Sequence, residues 1–235
     1  MTPPGDPAVP SVPVHTLAIA ASGARFPVRR IYCVGRNYAD HAREMGASGR
    51  ELPFFFAKPA DAAFSVPEGA CGDLPYPPAT ADLHHEVELV VALASGGRNL
   101  SPEQAAQTPW GYAIGLDMTR RDLQAAAKKA GRPWETAKAF DFSAPMGPLH
   151  PVRAVGALSS GAIELWVNGQ LRQSGDLADM IWSVPEAIAY LSTLFELRAG
   201  DLLFTGTPAG VGAVQVGDRL EARIERLGML RLQVV

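Results

Sequence analysis

The sequence is poor in cysteine, in charge and in long apolar runs. Its two cysteines, Cys33 and Cys71, form no CxxC pair. Neither a disulfide nor a cysteine nucleophile is expected, and both read as buried, reduced thiols. Charged residues make up only 19%, against ~25% in an average chain. With 21 basic and 24 acidic side chains the net charge is −3, so no general attraction to nucleic acid or anionic lipid arises. No apolar run reaches the ~18 residues a membrane span needs. The start, Met-Thr-Pro-Pro-Gly-Asp-Pro, has neither the basic nor the apolar region of a signal peptide, and a cytoplasmic location is expected. Common catalytic signatures are missing as well. There is no GxSxG nucleophile elbow, no GxGxxG, no Gly-rich loop ending in Lys-Ser/Thr, and His84-His85-Glu86 lacks the second histidine of a zinc HExxH helix.

What is present is a chain of 235 residues, 47% apolar, enough for one large domain with its own core. Gly 23 and Pro 20 exceed the ~12% combined share of an average protein, which disfavours a long helical bundle. Residues 1–27 are expected to form a Pro-rich lead-in with short strands, and residues 28–235 the main domain. Strands are expected over Val14–Ala20, Val28–Gly35, Val87–Leu93, Tyr112–Leu116, Ile163–Val167, Gln170–Gln173, Leu202–Thr205, Arg219–Ile224 and Met229–Val234. Asn168-Gly169 reads as a hairpin turn. Helices are expected over Asn37–Gly46, over Pro102–Gln107 behind the cap Ser101, over Thr119–Ala130 ended by Gly131, and over Val184–Leu194 with Pro185 in the first turn. Residues 47–81 read as irregular chain with short strands. The order is β-rich with inserted helices, an α+β mixed fold and not an alternating βαβ series.

The run His84-His85-Glu86-Val87-Glu88-Leu89-Val90-Val91 carries the most chemistry. On a strand Glu86, Glu88 and Val90 share one face, and Val87, Leu89, Val91 and Leu93 the other. Two buried carboxylates are costly unless a cation sits between them; the alternative is a wet strand end. Asp117 follows the apolar strand Tyr112–Leu116, and Arg121 and Gln124 come at +4 and +7, on the same side of the helix. Asp117 also fits a plain N-cap. Three hard carboxylate ligands with no cysteine nearby suit Mg²⁺ or Mn²⁺, with Ca²⁺ as the alternative.

In Gly35-Arg36-Asn37-Tyr38-Ala39-Asp40-His41-Ala42-Arg43-Glu44, His41 and Glu44 are helical neighbours. That spacing serves a carboxylate-oriented general base, or an ordinary exposed contact. Lys138 sits among small and apolar residues, where a lysine either binds an anion or snorkels. Thr205-Gly206-Thr207-Pro208 ends an apolar strand. It offers hydroxyl and N–H groups to an anion, or is simply a turn that needs glycine.

Taken in order, GRNY…H..E, ExE, the lone Asp before R..Q, the Lys and TGTP..VG resemble the fumarylacetoacetate hydrolase superfamily, from about Val28 to the C-terminus. The wider wording, including YCVGRNYADHAREMG and GDLLFTGTPAGVG, is most similar to its fumarylpyruvate and acylpyruvate hydrolases. The resemblance implies a mixed β-sandwich roll, usually a homodimer, with Mg²⁺ or Mn²⁺ held by Glu86, Glu88 and Asp117. It implies a lid carrying His41 and Glu44 as the water-activating pair, with Lys138 as a further catalytic group. Arg36, Arg121, Gln124, Thr205, Gly206 and Thr207 would line the substrate site. The implied reaction is hydrolysis of the C3–C4 bond of a 2,4-dioxo acid. For 3-fumarylpyruvate, an intermediate of gentisate breakdown, the products are fumarate and pyruvate. Acylpyruvate hydrolysis, oxaloacetate decarboxylation and isomerisation–decarboxylation of aromatic meta-cleavage products are the alternatives.

Overall fold

Val87–Leu93 forms a strand buried along its whole length. Val87, Leu89, Val91 and Leu93 enter one apolar core, and Val90 and Ala92 enter a second. The strand is apolar on both sides because it lies inside a sheet covered on both faces. In the computed structural model the described residues are 12–39 and 51–235. His41, Glu44 and most of the helix expected over Asn37–Gly46 lie outside them.

Strands are numbered along the chain. The main sheet has eight: β3 (Ile31–Gly35), β4 (Phe54–Lys58), β5 (Ala63–Ser65), β8 (Val87–Leu93), β9 (Pro109–Leu116), β11 (Ala144–Met146), β12 (His150–Pro151) and β15 (Leu202–Phe204). Their order is β4-β3-β15-β8-β9-β11-β5, with β12 also on β9. Pairing is mixed: β3 with β15 and β5 with β11 run parallel, whereas β8 is antiparallel to both β9 and β15.

A five-stranded sheet runs β14 (Gln170–Asp176), β13 (Ala162–Val167), β17 (Arg219–Ile224), β18 (Gly228–Val234), β6 (Cys71–Leu74). Its Ile163, Leu165, Leu220, Ala222 and Leu232 share a core with the odd-numbered face of β8, the filling of a sandwich. On the opposite face of the main sheet, the hairpin of β1 (Thr16–Ala18) and β2 (Arg25–Pro27) adds Leu17 and Phe26 to the second core. A small sheet, β10 (Thr119–Arg120), β7 (Leu83–His85), β16 (Gly212–Val214), rims the sandwich. The helices are short: α1 (Pro102–Ala105), α2 (Arg121–Ala130), α3 (Glu135–Lys138), α4 (Val152–Val155) and α5 (Val184–Leu194). None is long and apolar enough to cross a membrane. The β-rich, mixed architecture expected from the sequence is what forms.

Local signals act as the residues dictate. Asn168 and Gly169 both have positive φ and join β13 to β14, as a two-residue hairpin requires. Gly131 ends α2 in the left-handed conformation at φ 62°, its N–H returned to the last carbonyls of the helix. Several strand ends shift by a few residues: Tyr112–Leu116 begins at Pro109, and Gln170–Gln173 runs on to Asp176. Three further details differ from expectation. Thr119 and Arg120 do not open α2; they pair with β7, so the helix starts at Arg121 and the sheet edge overrides local helix preference. The α1 helix ends at Ala105, two residues early. Cys33 is buried as expected, but Cys71 is exposed, because it lies on the edge strand of the five-stranded sheet.

Candidate active site and metal centre

The site forms where strands end. Glu86 occupies the break between β7 and β8, and its carbonyl accepts the N–H of Asp117, the residue just beyond β9, at 2.9 Å. Glu88 lies opposite Gly115 on β9. Adjacent strand ends therefore deliver three carboxylates to one point. Ligand oxygens of Glu86, Glu88 and Asp117 lie within 4.8 Å of one another, and all three residues are at most 5% exposed.

The turn after β15 fixes Glu88, whose Oε2 accepts the Gly206 N–H at 2.7 Å. Gly206 has φ 95°, and a Cβ there would come within 2.7 Å of Asn37 Cβ. Only glycine fits that approach. Asn37 in turn donates to Thr205 O at 2.8 Å and Trp182 O at 2.9 Å, and accepts the Trp182 N–H at 2.8 Å. The Arg-Asn-Tyr segment is thereby bolted to the Thr-Gly-Thr-Pro turn. Burial, reinforced by the neighbouring Asp117 and Glu86, pushes the Glu88 carboxyl well above the usual carboxylate range.

Among the described residues, three cations face these acids. Lys138 Nζ is 2.5 Å from Asp117 Oδ2, 2.9 Å from Glu86 Oε2 and 2.6 Å from Thr119 Oγ1. Burial would lower the pKa of this ammonium, but Asp117 and Glu86 outweigh it and raise the value. Lys58, at the end of β4, lies 2.8 Å from Asp117 Oδ1 and donates to the carbonyls of Lys138 and Met118. Arg121, opening α2, reaches Glu86 Oε1 at 2.5 Å and Gln124 Oε1 at 2.6 Å. Because Gln124 accepts through Oε1, its NH₂ group is left to donate towards the cavity. Aromatic rings wall the mouth. Phe56 lies 4.9 Å from Lys138 Nζ, Arg36 sits over Phe54 at 5.6 Å, and Trp134 meets Phe54 edge-on.

The donor set suits a hard divalent cation: oxygen ligands only, and no soft sulfur among them. Asp117 Oδ1 is buried and accepts no hydrogen bond among the described residues, the Lys58 contact being an ion pair outside hydrogen-bond geometry. Its compensation is thus a charge and not a directed hydrogen bond, and a divalent ion can share that oxygen with the Lys58 ammonium.

Of the residues singled out from the sequence, Arg36, Glu86, Glu88, Asp117, Arg121, Gln124, Lys138, Gly206 and Thr207 line one cavity. Thr205 stands behind its wall, with its hydroxyl donated to Leu89 O at 2.9 Å. His41 and Glu44 lie outside the described residues. Sequence reasoning passed over Lys58, Asn37 and Gln173. Lys58 did leave a signal, a lysine closing the aromatic run Phe54-Phe55-Phe56.

The model of the fumarylacetoacetate (FAA) hydrolase C-terminal family matches residues 30–235. The fumarylpyruvate hydrolase of a Ralstonia species is 44% identical over 184 residues, 78% of this chain and 93% of that one. The oxaloacetate tautomerase YcgM of Escherichia coli is 43% identical over 196 residues, 83% of this chain and 88% of its own. The crystal structure of fumarylpyruvate hydrolase from Pseudomonas aeruginosa in complex with Mn²⁺ and pyruvate superposes with a TM-score of 0.94 at 54% identity, covering 98% of this chain and 99% of that one. These relatives bear out the expectation of an enzyme that hydrolyses carbon–carbon bonds. With a family match across nearly the whole chain and a divalent-cation site at the strand ends, the chain belongs to the fumarylacetoacetate hydrolase family.

Proposed function

We propose that the chain is a divalent-metal-dependent hydrolase that cleaves 3-fumarylpyruvate to fumarate and pyruvate. The observation that carries this reading is the convergence of Glu86, Glu88, Asp117, Lys138 and Thr207 on one cavity. The likeness to a fumarylpyruvate hydrolase crystallised with Mn²⁺ and pyruvate supports it.

In this reading Glu86, Glu88 and Asp117 hold Mg²⁺ or Mn²⁺. When bound, such an ion acts as a Lewis acid that stabilises negative charge developing on substrate oxygens. The protein groups supply the rest. Arg36 and Arg121 attract the carboxylates. His41, oriented by Glu44, takes a proton from the water that attacks C4. The Gln124 NH₂ group donates to the oxyanion formed at C4. The C3–C4 bond then breaks, its electron pair leaves with pyruvate as the enolate, and the proton that His41 took from water is returned to C3, which completes pyruvate and frees the base. Lys138 keeps a positive charge beside the enolate throughout. The aromatic wall of Phe54, Phe56 and Trp134 keeps bulk water from the reacting carbons. We place the enzyme in gentisate breakdown, in the cytoplasm, as a homodimer. Light scattering that finds only a single-chain species would contradict the dimer.

The similarity to oxaloacetate tautomerases favours a second reading, in which the same site moves a proton at C3 of oxaloacetate with no attack by water. One experiment separates the two. The protein is stripped with chelator, reloaded with Mn²⁺ or Mg²⁺, and given fumarylpyruvate, acetylpyruvate and enol-oxaloacetate in turn. Equimolar fumarate and pyruvate from fumarylpyruvate, lost on chelation, is the expected result. Rapid enol–keto conversion of oxaloacetate with no release of fumarate would replace the hydrolase by the tautomerase. Full hydrolysis after exhaustive chelation would remove the metal from the reading.

A further inference from the structure

Gln173 is fully buried on β14, a strand otherwise largely exposed. Its amide is saturated. Oε1 accepts the Val87 N–H at 3.1 Å and the Nδ1–H of His85 at 2.9 Å, while Nε2 donates to Thr207 Oγ1 at 2.7 Å and Pro208 O at 2.8 Å. The amide orientation is not free, because the Val87 N–H can only donate and the Pro208 carbonyl can only accept. Nε2 therefore faces Thr207, and Thr207 Oγ1 accepts.

That fixes the polarity of the Thr207 hydroxyl. With its oxygen occupied by a donor, its own hydrogen must find an acceptor elsewhere. Among the described residues none is in reach, although Thr207 is only 2% exposed and lines the cavity with the three carboxylates. A buried donor without a partner is costly, and a ligand oxygen in the cavity satisfies it. The other end of the same amide grips Val87 and His85, the residues on either side of Glu86.

We propose that Gln173 is a positioning residue that locks the Thr207 hydroxyl as a hydrogen-bond donor to an anionic oxygen of the 2-oxo acid. One amide would thus couple the substrate turn to the backbone that presents Glu86. The inference deepens the reading given above and rests on it.

The test uses the Mn²⁺-loaded protein and pyruvate as the probe, with binding followed by calorimetry and Mn²⁺ occupancy by electron paramagnetic resonance. In Gln173→Glu the carboxylate accepts from Thr207 and turns its hydrogen away from the cavity. Pyruvate affinity should then fall about 10- to 100-fold, the scale of a lost hydrogen bond to a charged group. Thr207→Val should lose a similar factor while binding Mn²⁺ as the wild type does, and Thr207→Ser should regain most of the loss. In the double variant Gln173→Glu/Thr207→Val, Gln173→Glu should cost nothing further. Additive losses would mean that the glutamate acts by charge or by distortion, and would overturn the inference. Wild-type pyruvate affinity in Thr207→Val would overturn it as well, whatever Gln173→Glu does. Should Gln173→Glu not fold, Gln173→Met takes its place in the cycle, with a smaller loss that again vanishes beside Thr207→Val. Failure of the wild type itself to bind Mn²⁺ and pyruvate would instead sink the proposed function on which the inference rests.

Discussion

Lys138 Nζ bridges Glu86 and Asp117, 2.9 Å and 2.5 Å from their carboxylate oxygens, and all three residues are buried. Without a metal this ammonium is a large part of what keeps three acids together. Truncating one partner of a buried ion pair costs about 3–5 kcal/mol. Lys138→Met should therefore lower the melting temperature of the metal-free protein markedly. Saturating Mn²⁺ should then raise that temperature by more than it does in the wild type, because the ion takes over the neutralisation. Thermal unfolding with and without Mn²⁺ reads this directly, and equal increments in the two proteins would contradict it.

Glu88 gives the metal site a pH dependence. Its carboxyl is held above the usual range by burial and by Asp117 and Glu86. Between the usual value and the raised one, the metal-free fold binds a proton that the unfolded chain does not. As far as Glu88 is concerned, metal-free stability falls as pH rises through that window. Mn²⁺ requires the carboxylate and expels the proton. Mn²⁺ affinity should therefore climb with pH over the same window, and calorimetry in buffers of different ionisation enthalpy should register proton release. Binding with no proton released would place the ion elsewhere.

His41 separates binding from chemistry. If it serves as the base, His41→Ala should keep its affinity for Mn²⁺ and pyruvate. Hydrolysis should drop by ~10²–10⁴-fold, the usual loss of a general base. Glu44→Ala combined with it should add little, since the pair acts as a unit. Steady-state hydrolysis beside pyruvate calorimetry checks both halves.

The scaffold beneath the site is testable through Phe204. This side chain is fully buried in the second core, and its ring crosses the backbone at Gly115, where an added Cβ would lie 2.7 Å from it. Phe204→Ala should cost about 3–5 kcal/mol, as such truncations do. Denaturant unfolding would show a shifted midpoint at unchanged slope.

Much of this was legible in the sequence. Val87–Leu93 and Val184–Leu194 form over the expected bounds, because the nearly unbroken apolar run in the first and Pro185 in the second are local signals strong enough to stand alone. The ExE spacing and Asp117 were legible for the same reason: each lies at the end of an unmistakable apolar strand. Lys58 was not, since it ends β4 and reaches Asp117, which follows β9, only once the whole sheet has assembled. Gln173 was hidden by its strand, whose exposed neighbours read as a solvent face. The misread thiol, Cys71, has the same origin, because edge or centre is decided by sheet order and not by composition.

The strand β8 has a partner on both sides and apolar layers above and below. Its amides have no route to solvent short of the whole sheet opening, so hydrogen exchange over Val87–Leu93 should track global unfolding. Glu88 rides on that strand. The floor of the site therefore cannot fray ahead of the fold, and loss of the ion on heating or in denaturant should be one cooperative event with loss of the protein.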